Sequence, residues 1–119
     1  DFTYIDDIVE GIVRLIPKPP KANDQWDAQN PIAGSSYAPY KVYNIGNNSP
    51  VRLLDFISIL EDKLGIEAKK EFLPMQDGDV EETFADVTDL VKDIGFQPST
   101  SLDVGLDKFV GWYREYYKV

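Results

Sequence analysis

Four strings in this sequence hold side chains whose types and spacing suit chemistry. The densest is Gln76-Asp77-Gly78-Asp79-Val80-Glu81-Glu82. A calcium loop of the helix-loop-helix type takes oxygen ligands at alternate positions, glycine at the sixth and glutamate at the twelfth. Here the glycine falls between the first two aspartates and Glu82 comes too early to close a site. The string reads as a solvated acidic loop, with a ligand-binding role left open and no metal expected. Asp6-Asp7 is a second acid pair, but adjacent residues point different ways, and such aspartates ordinarily cap a helix by accepting its first amides. Tyr37-Ala38-Pro39-Tyr40-Lys41 has the spacing at which a lysine one helical turn away lowers a tyrosine's pKa. Pro39 forbids that helix, so the spacing is accidental. Trp112-Tyr113-Arg114-Glu115-Tyr116-Tyr117 could stack bases or sugars. At helical spacing in an acidic chain its expected role is core and interface packing.

Whole classes of chemistry are missing. The chain has no cysteine and no histidine, which removes disulfides, thiol nucleophiles, the usual zinc sites, Ser-His-Asp triads and imidazole bases. Neither G-x-G-x-x-G nor a P-loop is present. With 21 acidic against 12 basic residues the formal charge is -9, and both nucleic acid and an anionic membrane face call for a basic surface. No apolar run approaches a membrane span. The absence of cysteine fits a reducing compartment, and the expected setting is cytoplasmic.

The elements that must position these residues can be traced by periodicity. The 119 residues make one domain, 1–119, with nothing to divide it. The chain begins at Asp1 inside an apolar phrase and reads as a piece of something longer. Ile8, Val9, Ile12, Val13, Leu15 and Ile16 recur at helical spacing after Asp6-Asp7, and Pro17, Pro19 and Pro20 end that helix. Residues 17–40 collect prolines and polar residues without apolar period, a long loop of the kind that is functional or mobile. Val42, Tyr43 and Ile45 predict a short strand stopping at Gly46-Asn47-Asn48. Ser49-Pro50 reads as the cap and first residue of a helix carrying Leu53, Leu54, Ile57, Leu60 and Leu64, halted by Gly65. A second strand is expected over Glu67 to Leu73. Asp86 is placed to cap a short helix through Leu90, Val91 and Ile94 that ends at Gly95. Ser101 opens the last helix, with Leu102, Leu106, Phe109, Tyr113 and Tyr117 on one face. The fold class expected is α/β, two short strands with about four helices.

The string Asp1-Phe2-Thr3-Tyr4-Ile5-Asp6-Asp7-Ile8-Val9-Glu10-Gly11 resembles the opening of the C-terminal domain of extended short-chain dehydrogenase/reductase epimerases. Three more phrases fall in the same order: Tyr43-Asn44-Ile45-Gly46-Asn47, Gln76-Asp77-Gly78-Asp79-Val80 with Thr83 and Ala85-Asp86, and Gly95-Phe96-Gln97-Pro98 leading to Trp112-Tyr113. The set is most similar to UDP-glucuronate 4-epimerases of bacterial surface polysaccharide synthesis. That resemblance implies an enzyme with NAD on an N-terminal Rossmann domain and a UDP-sugar in a cleft against this smaller domain. It would oxidise the C4 hydroxyl, let the keto sugar turn, and return hydride to its other face. The catalytic and cofactor-binding residues of such an enzyme lie outside this sequence, so the chain alone is expected to bind at most and to catalyse nothing.

Carried over residue by residue, the resemblance makes Gln76 and Asp79 substrate-binding, Asp79 standing near the ribose hydroxyls. A carboxylate suits that task because it accepts two hydrogen bonds from a vicinal diol. Gln76 stands where galactose-type enzymes carry arginine, and Asp77 where proline is expected. The family's diphosphate-clamping arginine, immediately before the residue matching Asp1, is missing. Asn44 is the second candidate contact, and Gly46 is expected to permit the tight turn. The partners implied are a UDP-sugar, the Rossmann domain of the same polypeptide, and a second subunit in a homodimer. A sugar-nucleotide 4,6-dehydratase or decarboxylase with the same domain is the alternative enzyme, and a stand-alone acidic interaction module the alternative from another class. A domain without its Rossmann half is expected to expose apolar surface and to self-associate or be marginally stable.

Overall fold

The computed structural model describes residues 1–119 and holds four helices, α1 (Ile5–Leu15), α2 (Leu53–Leu64), α3 (Thr88–Ile94) and α4 (Leu102–Tyr117). Each ends where local chemistry demands. α2 and α3 stop at Gly65 and Gly95, both left-handed (φ 70° and 64°), whose amides return to Glu61 O and Val91 O. α4 opens on Ser101, whose hydroxyl accepts from the Val104 amide at 3.4 Å.

Two expected caps are displaced. α1 begins at Ile5 with Tyr4 as its cap residue, so Asp6 and Asp7 lie inside the first turn. There they face the positive end of the helix dipole. Asp7 does not cap α1: its Oδ2 accepts from the Ser99 and Thr100 amides at 3.2 and 2.9 Å and ties α1 to the segment before α4. α2 begins three residues later than Ser49-Pro50 suggests, with Arg52 at its cap position.

Neither expected strand forms, which corrects the α/β assignment. A strand requires a partner to complete its ladder, and the only β pairing is one antiparallel bridge, Ser35 to Lys41. The Val42–Ile45 phrase lies across α3, with Tyr43 and Ile45 packed on the cluster of Val87, Leu90 and Ile94. Residues 66–73 run unpaired with Ile66, Phe72 and Leu73 exposed. The architecture is helical, with long non-regular connections.

The core is small. Val87, Leu90, Ile94, Leu106 and Val110 are its buried apolar residues, and Leu15, Tyr43, Ile45, Ala85 and Phe96 close around the first three. α1 packs on α3 and α2 on α4. Gly11 of α1 lets Ile45 and Phe96 approach, since a Cβ there would meet the Ile45 side chain at 3.4 Å. Gly46 is required by close approach rather than by a left-handed turn. Its added Cβ would stand 2.4 Å from the Ala85 Cβ.

The radius of gyration is 18.7 Å and the accessible surface 9303 Å². A compact single domain of this length has a radius of about 13.5 Å and a surface of about 6,500 Å². Part of that exposed surface is apolar. It includes Phe72, Leu73, Met75 and Phe84 on the 66–84 connection and Phe109, Trp112, Tyr113, Tyr116 and Tyr117 on α4. Those α4 rings pack on one another, Trp112 stacked on Tyr116 at 5.5 Å and Tyr113 tilted against Tyr117 at 4.6 Å, and they stand outside the core. Of the two roles expected of that stripe, core packing falls only to Leu106, Val110 and Gly105 on its inner side. No helix is long and apolar enough to cross a membrane.

Candidate functional site

The acidic loop is built on a turn. The Asp79 amide donates to Gln76 O at 3.2 Å, and Gly78 between them is left-handed at φ 91°. A type of turn with positive φ at that position suits glycine and leaves the flanking side chains pointing outward. Gln76, Asp77 and Asp79 are all exposed. The loop is held at its far end, where the Asp1 amine donates to Thr83 O and Oγ1 at 3.2 and 2.9 Å.

That anchor draws in the Asn47-Asn48 turn. Asp1 Oδ2 accepts from the Asn48 amide at 3.0 Å and Thr3 Oγ1 from the Asn47 amide at 3.1 Å. Asp1 Oδ1 is buried with no partner. A hollow of about 210 Å³ forms between these segments, lined by Val80, Glu81, Glu82 and Thr83 on one side and by Pro50 to Leu53 on the other. Arg52 is its one cationic side chain, and it forms no ion pair within the chain. Periodicity marked Arg52 only as part of a helix start, so nothing in the spacing singled it out.

Asn44 stands elsewhere. Its Nδ2 donates to Asp86 O at 3.3 Å, and it lines a polar hollow of about 450 Å³ with Ala33, Gly34, Val42, Asp86, Thr88 and Asp89. Asp86 Oδ1 accepts from the Thr88 amide at 2.9 Å, and bonds from the Thr88 side chain and amide hold its carboxyl below the usual carboxylate range. Asp86 thus serves the start of α3 one residue before the cap position. No hydrogen bond joins Asn44 to Gln76 or Asp79, and the Asn44 hollow contains neither. The three candidate contacts form two groups on this chain. Carboxylates, an amide oxygen and a hydroxyl around Asn44 make an acceptor-rich surface fit for a polyol, and the hollow's Asp86–Thr88–Asp89 wall was legible in sequence only as a helix start.

Beside that hollow lies a group of three titratable residues that shift one another. Asp93 at the end of α3 takes a charged hydrogen bond from Lys41 and another from the Tyr43 hydroxyl at 2.6 Å, while its backbone oxygen accepts from Lys18 Nζ at 2.6 Å. The Lys41 bond, then the Tyr43 bond, lower the Asp93 pKa. The same Lys41–Asp93 bond raises the lysine, and partial burial, then the bond to Asp93, raises Tyr43. Residues 37–41 adopt no helix, so Tyr37 and Lys41 do not form a catalytic pair. Tyr37 packs on Trp26 at 5.8 Å. No group of three acidic side chains converges as metal ligands.

No protein-family model matches the sequence. Protein CapI of Staphylococcus aureus is 59% identical over 118 residues, covering 99% of this chain and 35% of that protein. A probable UDP-glucuronate 4-epimerase of Rhizobium meliloti is 42% identical over 119 residues, 99% of this chain and 35% of its own. Among solved structures, a variant of the UDP-glucuronic acid 4-epimerase of Bacillus cereus superposes with a TM-score of 0.71 at 31% identity, over 98% of this chain and 32% of that one. Over nearly its whole length this chain is similar in sequence and fold to part of these proteins. The chain spans about a third of the length of the curated relatives it matches.

Proposed function

We propose that this chain is the nucleotide-sugar-binding part of an NAD-dependent UDP-glucuronate 4-epimerase, and that the rest of that enzyme carries the cofactor and the catalytic groups. What carries the proposal is homology over nearly the whole chain, joined to a fold match with an epimerase described as bound to UDP-4-deoxy-4-fluoro-glucuronic acid and NAD. NAD supplies reversible hydride exchange at C4 of the sugar, and the keto sugar must turn before hydride returns. This chain's contribution is to hold the nucleotide while the sugar turns. The Gln76–Asp79 turn offers a carboxylate to the ribose diol and a neutral amide beside it, and both side chains face solvent, free to meet a ligand. Asn44 is assigned a sugar-side role, on the acceptor-rich hollow it lines. The apolar face of α4 and the 66–84 connection are the surfaces offered to the Rossmann domain. A cytoplasmic homodimer acting in surface polysaccharide synthesis completes the reading.

The test is calorimetric titration of the full-length polypeptide with UDP and UDP-glucuronate, before and after Asp79→Ala. Loss of one charged hydrogen bond weakens binding by roughly 1–3 kcal/mol. Unchanged affinity would leave Asp79 a turn residue and move the nucleotide to other elements. Product analysis separates the related chemistries: an epimerase yields the C4 epimer with neither water nor carbon dioxide released.

A further inference from the structure

Residues 18–41 leave α1 and return to the body of the molecule at one point. Lys18, at the outgoing end, donates from Nζ to Asp93 O at 2.6 Å. Lys41, at the returning end, pairs with the carboxylate of the same residue and lies 3.9 Å from Asp89. Tyr43, just beyond, donates to the Asp93 carboxylate as well. Between those ends the segment bonds only to itself or to its own flank. The Asn23 amide donates to Ser36 O at 3.2 Å and the Val42 amide to Gly34 O at 2.9 Å, and Trp26 packs on Tyr37. No hydrogen bond runs from residues 19–40 to any of the four helices. Ala33 and Gly34 of this segment nevertheless form one wall of the polar hollow that Asn44, Asp86 and Thr88 line from below.

We propose that residues 18–41 are a strap, clamped at both ends on Asp93, that swings open as one unit and so gates the polar hollow beside Asn44. The clamp is well made for that task. A cation at the last carbonyls of α3 is favoured by the helix dipole, and an ion pair that is only partly buried strengthens without becoming permanent. The strap's internal bonds hold it together when it moves, so opening means breaking the Asp93 contacts rather than unfolding twenty residues. The strap is independent of the epimerase reading, since it follows from contacts within this chain alone.

Amide hydrogen exchange of the full-length polypeptide, read by peptide mass spectrometry, tests it. Asp93→Asn removes the charge while keeping the side chain's size. Exchange across residues 19–42 is expected to quicken at least tenfold, with α2 and α4 changed by less than twofold. Lys18→Met and Lys41→Met each loosen the same stretch by less; Lys41→Met adds little to Asp93→Asn because both break one bond, whereas Lys18→Met, whose bond is to the Asp93 backbone oxygen, adds to it. Sodium chloride at 1 M, which screens the ion pair, moves wild type toward the Asp93→Asn pattern. Unchanged exchange over 19–42 in Asp93→Asn overturns the clamp. Acceleration spread evenly over α3 and α4 makes Asp93 a general stabiliser and overturns it too. Should Asp93→Asn fail to fold, Lys18→Met, which loses only a surface contact, carries the same test, and an unchanged strap there overturns the two-ended clamp.

Discussion

The segment around α3 and the segment from residue 66 to residue 84 answer opposite demands. Around α3, Leu90 is 1% exposed, two neighbouring apolar residues close over it, and Asp93 gathers bonds from three distant residues. From 66 to 84 no residue is buried, no helix forms, and Phe72 lies 77% exposed. Yet the second stretch carries Gln76 and Asp79, the residues assigned to the nucleotide. The residues assigned to the nucleotide therefore lie apart from the packed core, while Asn44, assigned to the sugar, lies beside it. The α3 region is packed on itself, and the Gln76–Asp79 turn presents its side chains to solvent.

Substitutions in the two segments test that contrast. The largest effect is expected for Leu90→Ala, which empties the centre of the cluster and costs roughly 2–5 kcal/mol in urea or thermal melts. Gly46→Ala comes next. Its Cβ would overlap Ala85, and forced repacking of that kind costs roughly 1–3 kcal/mol. A smaller effect follows pH. The Asp93 pKa is lowered below its ordinary 3.8, so its bonds stabilise the fold fully above that value, and the contribution is lost as pH falls through the folded value. The Lys41 pKa is raised above 10.5, so its share is whole below 10.5 and is lost as pH climbs past the folded value. Melting temperature plotted against pH should drop at both extremes, and Lys41→Met should flatten the alkaline limb. The smallest change belongs to the exposed connection. Phe72→Ser should shift the stability of the 119-residue chain by no more than about 0.5 kcal/mol, whereas in the full-length polypeptide the same change should cost more if a domain covers that ring. Equal, small effects in both settings would mean that nothing packs there.

What the sequence made legible follows the same division. Helix ends were readable because Gly65, Gly95 and Ser101 act through their own backbone neighbours, within four residues. The strands were misread at Val42–Ile45 and Glu67–Leu73 because β-rich composition states a preference and not a partner. The first segment found α3 to lie on, and the second met only Glu61 of α2, which accepts from the Ala68 amide and the Lys70 ammonium. Asp7 looked like a cap for the same reason: local preference named the nearest amides, whereas Ser99 and Thr100 arrive from more than ninety residues away. The Asp93 group was invisible for lack of any local pattern, since Lys18, Lys41, Tyr43 and Asp93 meet only after folding. Of the proposed site, the Gln76–Asp79 turn was visible as a turn, and the separation of Asn44 from it was not.

The strap's geometry bears on how this protein tolerates change in length. Because the segment leaves and returns at a single residue, the helices do not feel how many residues lie between. Closing a loop of twice the length would cost only about 0.6 kcal/mol more. Inserted tags, lengthened relatives and shortened ones should all keep the α1–α3 packing intact, provided Lys18, Lys41 and Asp93 remain. Natural variation in chain length, and any engineered insertion, is best accommodated between Pro19 and Tyr40.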